Sequence, residues 1–179
     1  MLSLRAWPYK LIALVALAGL ACLPANAAEP KSLALLDFEV IDEMRAYSSE
    51  QARRETDRRL VLISGELAKE LERRGLYRVL DRAPAAPLIE RLKASHELRD
   101  CNGCELDIGQ ALGAERVGLC WVQKVSNLIL NINIEVRSVA MGETLYAKSV
   151  DIRGNTDESW LRGVRRLVDN IEEGQYHLR

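Results

Sequence analysis

The sequence predicts an α/β (α+β) fold in a single domain. A mixed sheet of about five strands follows the order β-α-β-α-α-β-β-β-α, with helices packed mainly on one face. Three observations predict it. Ser32 to Ile41 is a nearly continuous apolar run, as expected of a strand covered on both faces. Leu128 to Val136 alternates: Leu128, Leu130, Ile132, Ile134 and Val136 point one way, Asn131, Asn133, Glu135 and Arg137 the other. Trp160, Leu161, Val164, Leu167, Val168 and Ile171 make an apolar stripe with helical period.

The chain opens as an export signal. Arg5 and Lys10 form a positive start, Leu11 to Leu23 is apolar apart from Gly19, and Ala25-Asn26-Ala27 is a small-x-small cleavage motif. The expected cut lies between Ala27 and Ala28, so residues 1–27 are a signal peptide and 28–179 one domain with an ordered core of about 31–172. The apolar run is shorter than the about 20 residues that span a bilayer. Lipidation at Cys22, and with it an outer-membrane anchor, is not expected, because Gly19 stands where a lipoprotein motif wants Leu.

After the first strand, Ser48 and Gln51 have capping-box spacing and open a helix to Arg74. Leu60, Ile63, Leu67 and Leu71 line its inner face, and Gly75 ends it. Its charged half, Arg53 to Arg59, reads as a solvated face of mixed sign. Leu76 to Asp81 is a short strand, and Pro87 suits the first turn of a helix running to about Leu98. A short helix over Glu105 to Leu112 is stopped by Gly113. Arg116 to Val125 is apolar on both faces and reads as a central strand, with Val117, Leu119 and Trp121 opposite Cys120 and Val122. The alternating strand from Leu128 shows one wet face, the sign of an antiparallel neighbour. Met141-Gly142-Glu143 turns into a strand over Thr144 to Arg153, and Asn155 with Glu158 opens the last helix.

Removal of the signal takes the formal charge from -1 to -3, with acids and bases interspersed. No basic stripe supports nucleic-acid binding, and no polybasic segment supports an anionic lipid surface. The glycines at 109, 113 and 118 make no dinucleotide fingerprint, and no Gly-x-Ser-x-Gly elbow occurs. Asp37, Glu39, Asp42 and Glu43 read as a solvated acidic turn.

Cys101-Asn102-Gly103-Cys104 is the one concentrated chemical signal. Three readings stay open: a structural disulfide, which the exported setting favours; a redox-active pair; and a metal site completed by His96 or Cys120. A disulfide here closes a loop of four residues, worth about 2 kcal/mol in the chain-entropy account. Cys120, mid-strand, reads as a small buried apolar residue. Glu105 stands where covalent haem attachment needs His.

The blocks Cys101 to Cys104, Ile108-Gly109, Leu112-Gly113-Ala114, Lys124 to Leu130 and Asp151 to Trp160 resemble an uncharacterised family of exported bacterial proteins. The resemblance covers essentially the whole of 28–179 and implies no established activity. It suggests a place beside genes of periplasmic quinoprotein alcohol oxidation. The element order is similar to the TolB amino-terminal domain, the curli secretion lipoprotein CsgG and LpoB-type activators of cell-wall synthases. That wider resemblance implies envelope proteins that act by binding other proteins.

The expected role is therefore a periplasmic accessory or adaptor protein, without catalysis or cofactor. It binds an envelope or periplasmic protein through Asn131, Asn133, Glu135 and Arg137 or through a sheet edge, with self-association open. The alternative is a periplasmic thiol-disulfide or metal-handling protein built on Cys101 and Cys104.

Overall fold

The computed structural model describes residues 29–176. The signal segment, Cys22, the Ala27–Ala28 cleavage position and His177 lie outside the described residues. Five strands form one sheet: β1 (Ser32–Ile41), β2 (Arg78–Val79), β3 (Arg116–Lys124), β4 (Ile129–Ser138) and β5 (Thr144–Arg153). Four α-helices accompany it: α1 (Glu50–Arg73), α2 (Ala86–Lys93), α3 (Cys104–Ala111) and α4 (Asp157–Tyr176). The spatial order is β2-β1-β3-β4-β5. β1 runs parallel to both neighbours, while β3, β4 and β5 form an antiparallel meander. The expected mixed sheet and element order are the observed ones.

The sheet divides the interior into two cores. The two long helices, α1 and α4, bury Ile63, Leu67, Leu71, Trp160, Val164 and Leu167 against Leu33, Cys120, Val122 and the inner face of β4. Leu130, Ile132, Ile134 and Val136 are fully buried there, as their alternation predicts. Each such side chain contributes about 1.5–3 kcal/mol relative to exposure. On the other face the short helices α2 and α3 pack Ile89 and Ile108 over Ala34, Leu36, Val117 and Leu119. That second core takes nothing from β5, so helices cover the sheet mainly on one side.

Several boundaries move for identifiable reasons. Ser49, not Ser48, caps α1 and accepts the Ala52 N–H at 3.2 Å; the Ser48 hydroxyl instead donates to the Met44 carbonyl. β2 keeps two of the six residues expected. Leu76 and Tyr77 spend their N–H groups on the Leu71 carbonyl, closing α1 through Gly75 at φ 64°, and the Asp81 carboxylate accepts the Ala83 N–H. α2 stops at Lys93 because the chain must return to β1, where the Glu39 carboxylate accepts the Leu98 N–H at 3.0 Å. Leu128 is 71% exposed in the β3–β4 turn, not inside. Pairing begins at Ile129, and the Ser126 hydroxyl accepts the N–H groups of both Leu128 and Ile129 at 3.1 Å. At α4 the reciprocal cap is Thr156 with Ser159, not Asn155 with Glu158. Asn155 accepts the buried Trp160 indole N–H at 2.9 Å.

Candidate functional site

α2 and α3 cover β1 and part of β3, which leaves the same face of β4 and β5 open. Rows of paired residues cross it: Trp121 beside Asn133 beside Ser149, and Gln123 beside Asn131 beside Asp151. The four residues expected to form a wet interaction surface all lie here, but they are held, not loose. Asn133 is only 8% exposed, and its amide donates to the carbonyls of Trp121 and Asn131. The Asn131 amide donates to Asp151. Glu135 accepts the Thr144 hydroxyl at 2.6 Å. Arg137 pairs with Glu105, a fully buried carboxylate in the first turn of α3. A buried carboxylate at that place gains from the helix N-terminus as well as from the guanidinium.

The Glu105–Arg137 pair joins two features that look unrelated in sequence. Cys101 and Cys104 are disulfide-bonded, with Cα atoms 5.5 Å apart. Gly103, the last ring residue before α3, has φ 105°, a conformation that favours glycine, and its carbonyl accepts the Leu106 and Asp107 amides. Cys104 begins α3 and Glu105 follows it. The ring leads directly into the first turn of α3, from which Glu105 reaches Arg137 on β4. Cys101, Asn102, Glu105, Trp121, Glu135 and Arg137 line one shared recess of about 210 Å³.

Cys120 lies in the α1–α4 core, on the opposite side of the sheet from Cys101 and Cys104, so the three sulfurs do not converge. Burial pushes its thiol pKa well above the usual range. His96 is exposed beyond α2. No cluster of three or more His, Cys, Asp or Glu suited to a metal occurs among the described residues. The acidic group at the end of β1 is dispersed: Asp37 pairs with Arg82, Glu39 accepts backbone amides and Asp42 pairs with Lys124. The charged half of α1 is a mixed-sign network, in which Arg58 and Arg59 reach Glu55 and Asp157.

One part of this face was not anticipated. The β3–β4 turn exposes Val125 (61%), Leu128 (71%) and Ile129 (38%), and Met44 (60%) lies on the neighbouring β1–α1 loop. Met44 and Val125 line a common depression. Val125 and Ile129 are bridged by the Val125 N–H to Ile129 carbonyl bond at 3.1 Å. The signal was present in Lys124 to Leu130, where large apolar residues flank the polar pair Ser126-Asn127. Strand alternation assigned Leu128 to the interior, and nothing local tells a turn apex from a strand start.

A model of the family DUF3280, described as "Protein of unknown function (DUF2380)", matches residues 31–171. No curated protein matches the sequence. Among solved structures, the chain is similar to the PelC dodecamer from Paraburkholderia phytofirmans, at 12% identity and TM-score 0.50, covering 80% of this chain and 89% of that one. Lipoprotein GNA1162 from Neisseria meningitidis is 18% identical with TM-score 0.46, covering 79% and 95%. The LpoB C-terminal domain from Salmonella enterica is 12% identical with TM-score 0.44, covering 70% and 84%. At these identities the likeness is one of fold, and a fold hosts many functions.

Proposed function

The chain belongs to the DUF3280 family of unknown function, and from that premise we propose an exported, periplasmic, non-enzymatic adaptor that docks another envelope or periplasmic protein on its open sheet face. One observation carries the reading. The face left bare by α2 and α3 combines a polar, internally satisfied centre around Asn133 with an exposed apolar end at Val125, Leu128, Ile129 and Met44. Apolar anchors grouped beside ordered polar residues are the composition of protein interfaces. The family resemblance to neighbours of quinoprotein alcohol oxidation makes a periplasmic dehydrogenase of that class the first partner to assay. PelC is a dodecamer, and self-association of this chain is read in the same experiments from its solution mass.

Affinity capture from the native periplasm, followed by direct binding with the purified partner, tests the proposal. Val125→Asp and Leu128→Asp alter exposed positions, leave the core intact and should abolish capture. Unchanged capture by both variants removes this face from the reading.

Thiol-disulfide exchange at Cys101–Cys104 is the second reading, favoured by one observation: the half-buried Cys101 stands at the rim of the recess while Cys104 opens α3. Thiol trapping of the exported protein separates the two. A pair that stays oxidised and resists mild reductant rules out the exchange role.

A further inference from the structure

The long unpaired edge of the sheet is β5. The sheet ends there on one side and at the two-residue β2 on the other. β5 has ten residues and no proline, and proteins guard such edges with charge. Here the guards are basic and stand on both faces. Arg153 lies on the open face, paired in register with Ile129. On the other face, Lys148 rests against α4 beside Gly174. Arg162 and Arg166 project from the exposed side of α4, one turn apart. A groove of about 530 Å³ runs between the end of β5 and α4; Val150, Ile152 and Gly163 line it together with Arg162 and Arg166.

The charge along this edge is not balanced locally. The groove also holds Asp151, which accepts a hydrogen bond from the neutral Asn131 amide and keeps its charge, and Asp169, which pairs with Arg74; the arginines that line it (Arg153, Arg162, Arg165 and Arg166) outnumber these two carboxylates. Among the described residues neither Arg153 nor Arg166 has an ion-pair partner. Arg162 holds only the exposed Glu158, at 3.2 Å.

We infer that the β5 edge receives an extended acidic segment of a partner protein, added to the sheet as a further strand. An added strand sends alternate side chains to the two faces. Acidic residues on one face meet Lys148, Arg162 and Arg166, and those on the other meet Arg153. Apolar residues between them fit over Val150 and Ile152. A second copy of this chain is a poor occupant, because edge-to-edge pairing brings two basic sets to one seam, and like charges across strands repel. This surface meets the open-face site only where Arg153 stands beside Ile129; Arg162 and Arg166 lie on the α4 side, so Arg166→Glu separates the two readings.

The test uses a fluorescein-labelled peptide of about eight residues repeating Glu-Glu-Val-Val, which puts both residue types on both faces of a strand, with a Lys-Lys-Val-Val peptide of the same pattern as control. Anisotropy is read at low and high salt, and amide exchange of β5 is followed by NMR. The Glu–Val peptide should bind, lose affinity in salt and slow exchange along Thr144–Arg153. Arg166→Glu and Arg153→Glu should each weaken it about tenfold. Both residues are exposed, and Arg166→Gln gives the same direction if charge reversal perturbs folding. Equal binding of both peptides, absence of binding, or protection confined elsewhere overturns the proposal. So does a dimer whose β5 amides are protected before peptide is added.

Discussion

Lys124 Nζ lies 2.9 Å from Asp42 Oδ2, with side-chain exposures of 8% and 4%. The pair ties the end of β3 to the loop after β1, and so holds Met44 against the Val125 turn. A buried pair is costly to break from one side, because the remaining charge stays desolvated. Lys124→Met should lower stability by about 3–5 kcal/mol, and adding Asp42→Leu should restore most of it. Urea unfolding midpoints of the two single variants and the double variant provide the cycle.

Gly163 is where α4 crosses the sheet most closely. A methyl group there would lie 2.5 Å from Ile152 Cγ2 and 2.7 Å from Ile132 Cδ1. Gly163→Ala should destabilise by about 1–3 kcal/mol through overpacking, despite the better helix propensity of alanine. Thermal unfolding reads this directly, and Ile132→Val in the same chain should recover part of the loss.

Glu70 gives a pH signature. The hydrogen bond from Arg73 holds its carboxyl down to about 2, against an ordinary value of 4.5, with Arg74 adding to the effect. The unfolded chain therefore takes up this proton first. The contribution is complete above about pH 4.5 and is lost as pH falls toward 2. The difference in unfolding midpoint between the native chain and Glu70→Gln should shrink across that window. A constant difference would show that Glu70 does not carry it.

Cys120 should be silent toward thiol reagents in the native state. Its side chain is 4% exposed, and burial raises its pKa, so the thiolate is scarce. Maleimide labelling should track the unfolding curve, with no fast phase in native buffer.

Replacing both Cys101 and Cys104 by Ser should cost about 2 kcal/mol, the chain-entropy value for so short a loop. The far-UV spectrum should be retained, since Gly103 and the amides it accepts define the start of α3 independently. A loss well above that figure would mean that the ring also positions Glu105 for Arg137.

The strands were legible because their burial is written in their period. Ser32–Ile41 is nearly continuously apolar and lies between two parallel partners; Ile129–Ser138 alternates and faces one core. Thr144–Arg153 falls on its expected bounds. Caps and short elements were less legible, because neighbouring Ser, Thr and Asn compete for the same amide, and here Ser49 and Thr156 take it. At the candidate site, the polar row from Asn131 to Arg137 was visible in sequence, and so was the cysteine pair. Their union through Glu105 was not. It depends on α3 packing over β3, which brings Glu105 within reach of Arg137 on the neighbouring β4, 32 positions away, and no local pattern encodes that.

The placement of β1 at the middle of the sheet sets an order of events for a chain made from its amino terminus. β1 is synthesised first, yet its main partner β3 begins beyond Glu115, which is 83 residues later at the Ser32 contact. Until then the Leu33–Leu36 run has only two residues of β2 to pair with, and it is the kind of segment that aggregates when bare. The carboxy-terminal half, by contrast, joins neighbours in sequence: β3 to β4, β4 to β5, β5 to α4. The first half alone should therefore need a holding factor, or delayed release, to stay soluble. A truncation ending before Arg116 should be insoluble, however sound its helices.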